Sequence, residues 1–503
     1  MSEPWRKSRE IIERIVVEGN LVLLTPTSLG NGDAEGLTDI SLLLDEVDGS
    51  ALLTGTSIAG ALRNYLRERK HGFEQAEDNG SICRKLFGWH KDEDDGVQSC
   101  LIIDDARSID EKGQPKLPTT ELRDGVRIDG KTRTAADKAK YDLELLETGT
   151  TFTLRFELLI SENRNNLVSA FATALEGFEK GEIFLGARKR RGYGECKVKN
   201  WRVKTFDLTK QDGLVDWLKN GAMELSKGNE QTISHAFSHA LSASPIQDQR
   251  EYFEIKACFA LDGSMLIRSG AQVSDNVQPD SVHLRSKHKD KGYVPIISGT
   301  SLAGVLRHRA VKICNTISSG KGEDFVEKFF GTDMKKLKER NQVTKEQPFA
   351  SRLEVRETDI TNTNDLIQTR VKIDRFTGGA YDGALFDAAP VFAKDNGKAI
   401  ELSLKLRSPK DCEIGLLLLL LKDLWTSDLP IGGESSIGRG RLKGLSANLH
   451  YRKTETDFWK TCLEGTGQIK ADSTEGNLPA DKTETDYLND LVTQLKDELE
   501  KTP

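Results

Sequence analysis

Two short segments of this 503-residue chain carry residue types suited to anion chemistry. Thr54-Gly-Thr-Ser-Ile-Ala-Gly-Ala-Leu-Arg63 and Ser298-Gly-Thr-Ser-Leu-Ala-Gly-Val-Leu-Arg307 agree at seven of ten positions, and the other three exchange like for like. Each follows an apolar run and opens a helical pattern, which predicts strand, tight glycine turn and helix. Gly55 and Gly299 are expected at the turn, since a residue without a Cβ tolerates positive φ. Thr56, Ser57, Thr300 and Ser301 are expected to cap the orphan N–H groups of the first turn. Gly60 and Gly304 lie in that turn, where a missing side chain admits another backbone, and Arg63 and Arg307 follow about one turn later. A glycine turn feeding a helix N-terminus suits a phosphate, because free N–H groups and the helix dipole both favour negative charge. A plain strand-to-helix corner uses the same residues, and the duplication does not decide between the two.

Other groupings carry less. His235 and His239 share a helix face, but no acidic partner motif supports zinc. Cys83, His90 and Cys100 flank an acidic loop without Cys-x-x-Cys spacing, and no Walker motif, dinucleotide fingerprint or Ser-His-Asp elbow stands out. Seven cysteines at irregular spacings argue for a reducing compartment. The N-terminal residues lack the apolar core of a signal peptide, and the longest apolar run, Ile414–Leu421, is too short to span a bilayer. A cytoplasmic protein without a membrane span is expected. The net charge of −7 argues against simple attraction to nucleic acid. The signs are nonetheless segregated: acidic Asp92–Asp95 contrasts with the basic runs Arg188-Lys-Arg-Arg191, Arg285–Lys289 and Arg439-Gly-Arg441.

The positioning elements repeat as well. Ser57 and Ser301 are 244 residues apart, Phe87 and Phe330 are 243 apart, and Val126-Arg-Ile-Asp129 returns as Val371-Lys-Ile-Asp374 at 245. Tyr141-Asp142 returns as Phe386-Asp387 at 245, and Gly192-Tyr-Gly194 as Gly438-Arg-Gly440 at 246. Landmarks this steady in one order mean two copies of one domain, roughly 1–205 and 249–450, joined by a helical linker at 206–248. A charged tail, 451–503, carries one amphipathic stretch, 487–499, read as a solvated or partly disordered helix. Alternating strands such as Thr151–Leu159, separated by helices, predict α+β domains with antiparallel sheets.

At this point the residues resemble a known family. Strand, Gly-rich loop with Gly-x-x-Asp, variable segment and Gly-Thr-Ser-Leu-x-Gly-x-Leu-Arg look like the RAMP superfamily. The chain is similar in particular to the guide-RNA-binding backbone subunits of type III CRISPR effector complexes. The tandem arrangement is most like the fused double-backbone subunit of the type III-D variety. The fold implied is two tandem RRM-like (ferredoxin-like) domains with inserted loops and thumb hairpins. The partners implied are guide RNA, complementary target RNA, the large signature subunit and other backbone subunits.

In this family a loop aspartate between the first strand and the signature helix cleaves target RNA, which maps to Asp39 in Gly36-Leu-Thr-Asp39 and to Asp280 in Gln278-Pro-Asp280. The chemistry implied uses Mg²⁺ or Mn²⁺ held at Asp39 and Asp280, with the ribose 2′-hydroxyl attacking its own phosphodiester to leave a 2′,3′-cyclic phosphate and a 5′-hydroxyl. His283 and Arg285 lie near Asp280 and have no counterpart in the first copy. Thumb hairpins are implied around Arg127, Lys131 and Arg133 and around Arg370, Lys372, Arg375 and Phe376, with cations for phosphates and a ring for stacking. The late loops, with Arg188, Lys189, Arg190, Arg191 and Tyr193 and with Arg439 and Arg441, are expected to contact guide RNA. Many members of the family carry Lys where this chain has Ala59 and Ala303, a departure that removes one cation from each helix start. A non-catalytic scaffold stands as the alternative. A histidine-based nuclease processing precursor guide RNA is a third reading, for which His283 is the single candidate.

Overall fold

The computed structural model describes residues 11–30, 41–78, 80–88, 98–130, 132–161, 164–221, 229–269, 279–288, 291–333, 337, 347–470, 473–477 and 483–501. Contacts divide the chain into two compact units. One comprises Met1–Glu121, Glu144–Lys189 and Tyr193–Arg250, the other Leu122–Leu143, Arg190–Gly192 and Glu251–Pro503.

The first repeat runs β1 (Glu13–Leu23), α1 (Gly55–His71), β2 (Leu101–Ile103), β3 (Ala106–Ile109), β4 (Thr120–Ile128), β5 (Ala135–Leu146), β6 (Thr151–Ile160), α2 (Arg164–Glu179) and β7 (Cys196–Asp207). Strand β1 is central, antiparallel to β6 from Glu13↔Ile160 to Val22↔Thr151 and to β7 from Glu13↔Asp207 to Leu23↔Cys196. Both β2 and β3 pair with the far side of β6. Every second residue of β6, from Phe152 to Ile160, is fully buried against the helices, the half-buried alternation expected from the sequence.

Helix α3 (Gln211–Asn220) follows, its Trp217 ring 5.1 Å from Phe206 and 4.4 Å from the Arg14 guanidinium. Further along the expected linker, Ile233, Phe237 and Ala240 are buried in the first core.

The second repeat contains β8 (Tyr252–Asp262), β9 (Ser281–His283), α4 (Gly299–Ile317), β10 (Leu353–Val355), β11 (Gln368–Ile373), β12 (Ala380–Ala389), β13 (Ile400–Arg407), α5 (Asp411–Trp425) and β14 (Arg441–Arg452). Its sheet order is β10-β13-β8-β14-β15, where β15 spans Phe458–Glu464. In each repeat the core elements run β-α-β-β-α-β and the strands lie in the spatial order fourth, first, third, second. That is the ferredoxin-like arrangement. The RRM-like α+β expectation holds for both repeats.

The tail differs from expectation. Strand β15 extends the second sheet, and α6 (Glu484–Lys501) buries Leu491, Leu495 and Leu499. Helix α6 lies so close to α5 that a Cβ on Gly415 would stand 2.1 Å from the Leu491 carbonyl oxygen. An apolar stripe at spacing four finds a partner helix here, so the amphipathic stretch is packed rather than solvated.

The signature glycines also act differently from expectation. Neither Gly55 nor Gly299 has positive φ; each is the first residue of its helix. A Cβ on Gly55 would lie 2.4 Å from the Ile103 carbonyl oxygen at the end of β2, and one on Gly299 2.5 Å from that of Val355 at the end of β10. The requirement is close approach of helix start to strand end. A Cβ on Gly60 or Gly304 would meet nothing within 4 Å among the described residues.

These two kinds of glycine separate in stability. Gly55→Ala forces a methyl onto a carbonyl and is expected to cost about 1–3 kcal/mol. Gly60→Ala, on an open helix face, is expected to gain up to ~1 kcal/mol. Denaturant midpoints measured on both variants check this; a Gly55→Ala protein as stable as wild type would contradict the close approach.

Candidate nucleic-acid interface

Helix starts come first. The capping residues are Thr54 and Ser298, not the Thr-Ser pairs expected from the sequence. Thr54 Oγ1 accepts the Ser57 N–H at 3.3 Å and Ser298 Oγ accepts the Ser301 N–H at 3.3 Å. The reason is that the helix begins at the glycine, so the residue before it takes the extended conformation an N-cap needs. Thr56 and Ser57, like Thr300 and Ser301, thereby become first-turn residues whose hydroxyls join the cap: Thr54 donates to Ser57 Oγ at 2.9 Å and Ser298 to Ser301 Oγ at 2.9 Å. In the first repeat the Gly55 N–H is taken by Asp105 Oδ1 at 2.6 Å.

Beside α1 lies a cleft of about 540 Å³, lined among others by Ser28, Thr56, Ser57, Gly60, Gly186 and Lys189. Its far wall is the late glycine loop, fastened to the segment after β1. Ala187 donates to the Ser28 carbonyl at 3.0 Å, and Gly194 to that of Pro26 at 3.1 Å. The second repeat builds the same fastening, with Gly433 donating to Leu266 at 2.7 Å and Gly440 to Ser264 at 2.7 Å. Gly194 and Gly440 hold φ of 80° and 78°, and a Cβ there would lie 1.8 and 2.0 Å from the carbonyl oxygens of Leu185 and Ile431. These glycines therefore serve the protein's own backbone.

Many of the expected cations are engaged inside the protein. Arg63 forms a two-pronged pair with Glu77 at 2.8 and 2.7 Å. Within the second unit, Arg127 pairs with Asp333 at 2.8 Å and Arg190 with Glu354 at 2.8 Å. Arg191 donates to the Phe330 carbonyl at 3.2 Å, and burial together with Arg307 and Arg190 pushes its pKa down to about 10. Burial likewise lowers that of Arg307. Arg370 and Arg439 converge on Glu434, each at 3.0 Å, and Arg285 pairs with Asp365. Tyr193 is 3% exposed and presents no stacking face. Lys189, Arg133, Lys372, Arg375 and Arg441 stand at the surface, and Arg188 is half-buried with a left-handed φ of 55°. Asp39 and Lys131 lie outside the described residues.

Both thumb hairpins form: β4–β5 and β11–β12. The Asp129 and Asp374 of the repeated Ile-Asp motif close them in the same way. Asp129 Oδ1 accepts the Thr132 N–H at 2.9 Å, while Asp374 Oδ1 accepts those of Phe376 and Thr377 at 2.7 and 3.0 Å. Phe376 stands 86% exposed at the second tip, with the Arg375 guanidinium 5.1 Å from its ring. Lys372 lies 4.7 Å from the Tyr381 ring.

His283 is 1% exposed. Its Nδ1 accepts the Ile267 N–H at 3.1 Å and its Nε2 faces the Ile296 carbonyl at 3.0 Å, so both nitrogens are taken up by the backbone of neighbouring segments. Asp280 is exposed, and its Oδ2 accepts the Asp387 N–H at 2.9 Å. The Asp387 Oδ1 beside it is buried without a hydrogen-bond partner among the described residues. In sequence Asp387 appeared as a repeat landmark alone, because its neighbour Asp280 lies 107 positions away.

The RAMP superfamily model matches residues 20–197 and 261–443. This chain belongs to the RAMP superfamily. No curated relative matches it at a significant level. Each match opens inside the central strand of a repeat, β1 or β8, and closes inside its last core strand, β7 or β14, so both RAMP repeats are covered from first strand to last. RAMP membership implies a CRISPR-associated RNA-binding subunit.

The buried His283 gives a pH test. Burial pushes its pKa down to about 4 from an ordinary 6.5. The unfolded chain therefore binds a proton between those values that the fold refuses, and stability present above pH 6.5 falls as pH drops toward 4. Wild type is expected to lose more unfolding free energy between pH 7 and 4.5 than His283→Gln; equal losses would exonerate this residue.

Proposed function

We propose that this RAMP protein is a guide-RNA-binding backbone subunit of a type III CRISPR ribonucleoprotein, two backbone domains fused in one chain, and that Asp280 cleaves complementary target RNA. The observation that carries the reading is the placement of Asp280. Its carboxylate is exposed at the base of the second thumb hairpin, held by the Asp387 backbone at the end of β12. Asp39 is its counterpart by sequence in the first repeat.

The residues fit a divalent cation of the Mg²⁺ kind. Such an ion takes one or two protein carboxylates and completes its shell with water and phosphate oxygens. Asp280 and the unpartnered Asp387 Oδ1 would hold it. When bound, the ion supplies charge neutralisation at the departing oxygen. The chain's own part is positioning and proton transfer. With Oδ2 held by the Asp387 N–H, Asp280 Oδ1 is left to accept the ribose 2′-hydroxyl proton. The 2′-oxygen then bonds to phosphorus and the bond to the 5′-oxygen breaks, leaving a 2′,3′-cyclic phosphate and, after protonation from water, a 5′-hydroxyl. The hairpin tip, with Phe376 and Arg375 exposed, suits contact with bases and phosphates of the paired strands. Histidine-based processing of precursor guide RNA gains no support, since both nitrogens of His283 are occupied by the fold.

Target-RNA cleavage by the assembled complex with Mg²⁺ tests the assignment. Asp280→Ala is expected to slow one distinct cut by about 10²-fold or more while target binding persists, and Asp39→Ala a second. EDTA is expected to stop both. If every cut survives in the double variant, the chain is a scaffold and its neighbours cut.

A further inference from the structure

We infer that the cleft of the first RAMP repeat is a ribose-reading site, in which the Ser28 hydroxyl hydrogen-bonds the 2′-hydroxyl of one nucleotide of bound RNA. The inference rests on the guide-RNA reading above and adds to it a residue and a chemical group.

Ser28 is 3% exposed, lines the cleft, and has an Oγ buried without a hydrogen-bond partner among the described residues. A buried hydroxyl left unsatisfied is costly, so its retention needs a reason. The fold supplies none. What the fold uses at this position is the backbone carbonyl, which accepts the Ala187 N–H at 3.0 Å. The second repeat shows that the side chain is dispensable for that purpose. There Leu266 takes the place of Ser28, its carbonyl accepting the Gly433 N–H at 2.7 Å and its side chain fully buried.

The cleft's walls select among the parts of a nucleotide. They are aliphatic, with Leu29, Leu53 and Leu185 among them, and among the described residues the lining holds no aromatic ring on which a base could stack. The C–H edges of a sugar suit such walls. At the mouth the Thr56 and Ser57 hydroxyls and Lys189 suit a phosphate, and Gly60, with nothing within 4 Å, leaves the helix face open to a strand. Asp105 already holds the Gly55 N–H, so the phosphate contacts fall to those hydroxyls and to Lys189. A sugar seated behind a phosphate at the mouth turns its 2′-hydroxyl toward the depth of the cleft. That group both donates and accepts, as the Ser28 hydroxyl does, and it is what separates RNA from DNA. The second repeat, with Leu266, makes no such distinction.

The test uses full-length protein, a guide-length single-stranded RNA and the all-deoxy strand of the same sequence, with binding read by fluorescence anisotropy. Wild type is expected to favour the RNA. Ser28→Ala is expected to weaken RNA binding about five- to tenfold, the loss of one neutral hydrogen bond, and to leave DNA binding and the melting temperature unchanged. An RNA-to-DNA ratio that stays at the wild-type value in Ser28→Ala overturns the inference, whether both affinities fall together or neither moves; the hydroxyl then holds water only. A wild-type chain that binds no RNA sinks the guide-RNA reading as well, so the two failures are told apart.

Discussion

The approach of a helix start to a strand end, with no side chain between them, is the constraint on which the rest of each repeat depends. Gly55 meets the carbonyl of Ile103 and Gly299 that of Val355, at distances that admit no Cβ. This contact fixes where the signature helix begins, and therefore which residue caps it and where its first-turn hydroxyls point. The late loop is fixed by the same device, with Gly194 and Gly440 pressed against Leu185 and Ile431. Helix start and late loop are the two walls of the first-repeat cleft. Its shape is thus set by backbone contacts rather than by the side chains that line it.

Charge is organised around the same frame. With 72 Lys and Arg against 79 Asp and Glu, the chain cannot attract RNA by net charge. Cations that the sequence places near the signature motifs are instead tied to carboxylates: Arg63 to Glu77, Arg190 to Glu354, and Arg370 and Arg439 to Glu434. Such pairs, partly buried, are costly to break in so far as a poorly solvated charge would remain. They orient loops more than they attract a polyanion. Among the described residues, the surface offers RNA the side chains of Arg133, Lys372, Arg375 and Arg441, the first-turn hydroxyls, and the hairpin tip with Phe376.

The duplication, the α+β class and the hairpins were legible in the sequence, because each rests on local pattern: a fixed offset, a period of two, or an Asp followed by turn residues. The roles of single side chains were less legible. Tyr193 and His283 lie in segments whose composition reads as exposed, yet both are buried, since burial is set by neighbouring segments that the local pattern does not reveal. His283 is held by Ile267 and Ile296. The cations of the late loops read as available because their partners, Glu354 and Glu434 among them, are not distinguishable in sequence from any other surface carboxylate. The glycines were assigned to turn geometry when their requirement is space, a property that depends on a strand some 50 residues away. Ser28 carried no signal at all, since an unpartnered hydroxyl is visible only once its surroundings are known.

The two repeats share a frame and differ in what they hang on it. Helix α3 covers the outer face of the first sheet through Trp217 on Phe206, whereas the second sheet carries His450 and Tyr252 in T-shaped contact on its outer face. The last helix, α6, packs on α5 of the second repeat. Ser28 faces the first cleft where Leu266 stands in the second repeat, and Asp105 holds the start of α1. These differences fall on added helices and on single side chains, while the approach of each signature glycine to a strand end and the Asp-closed hairpin turns recur in both. A frame held by backbone approach tolerates such divergence, because altering a side chain that the frame does not use costs it little. Equal geometry in the two repeats therefore does not imply equal chemistry. Each repeat's part in binding and cleavage has to be read from its own residues.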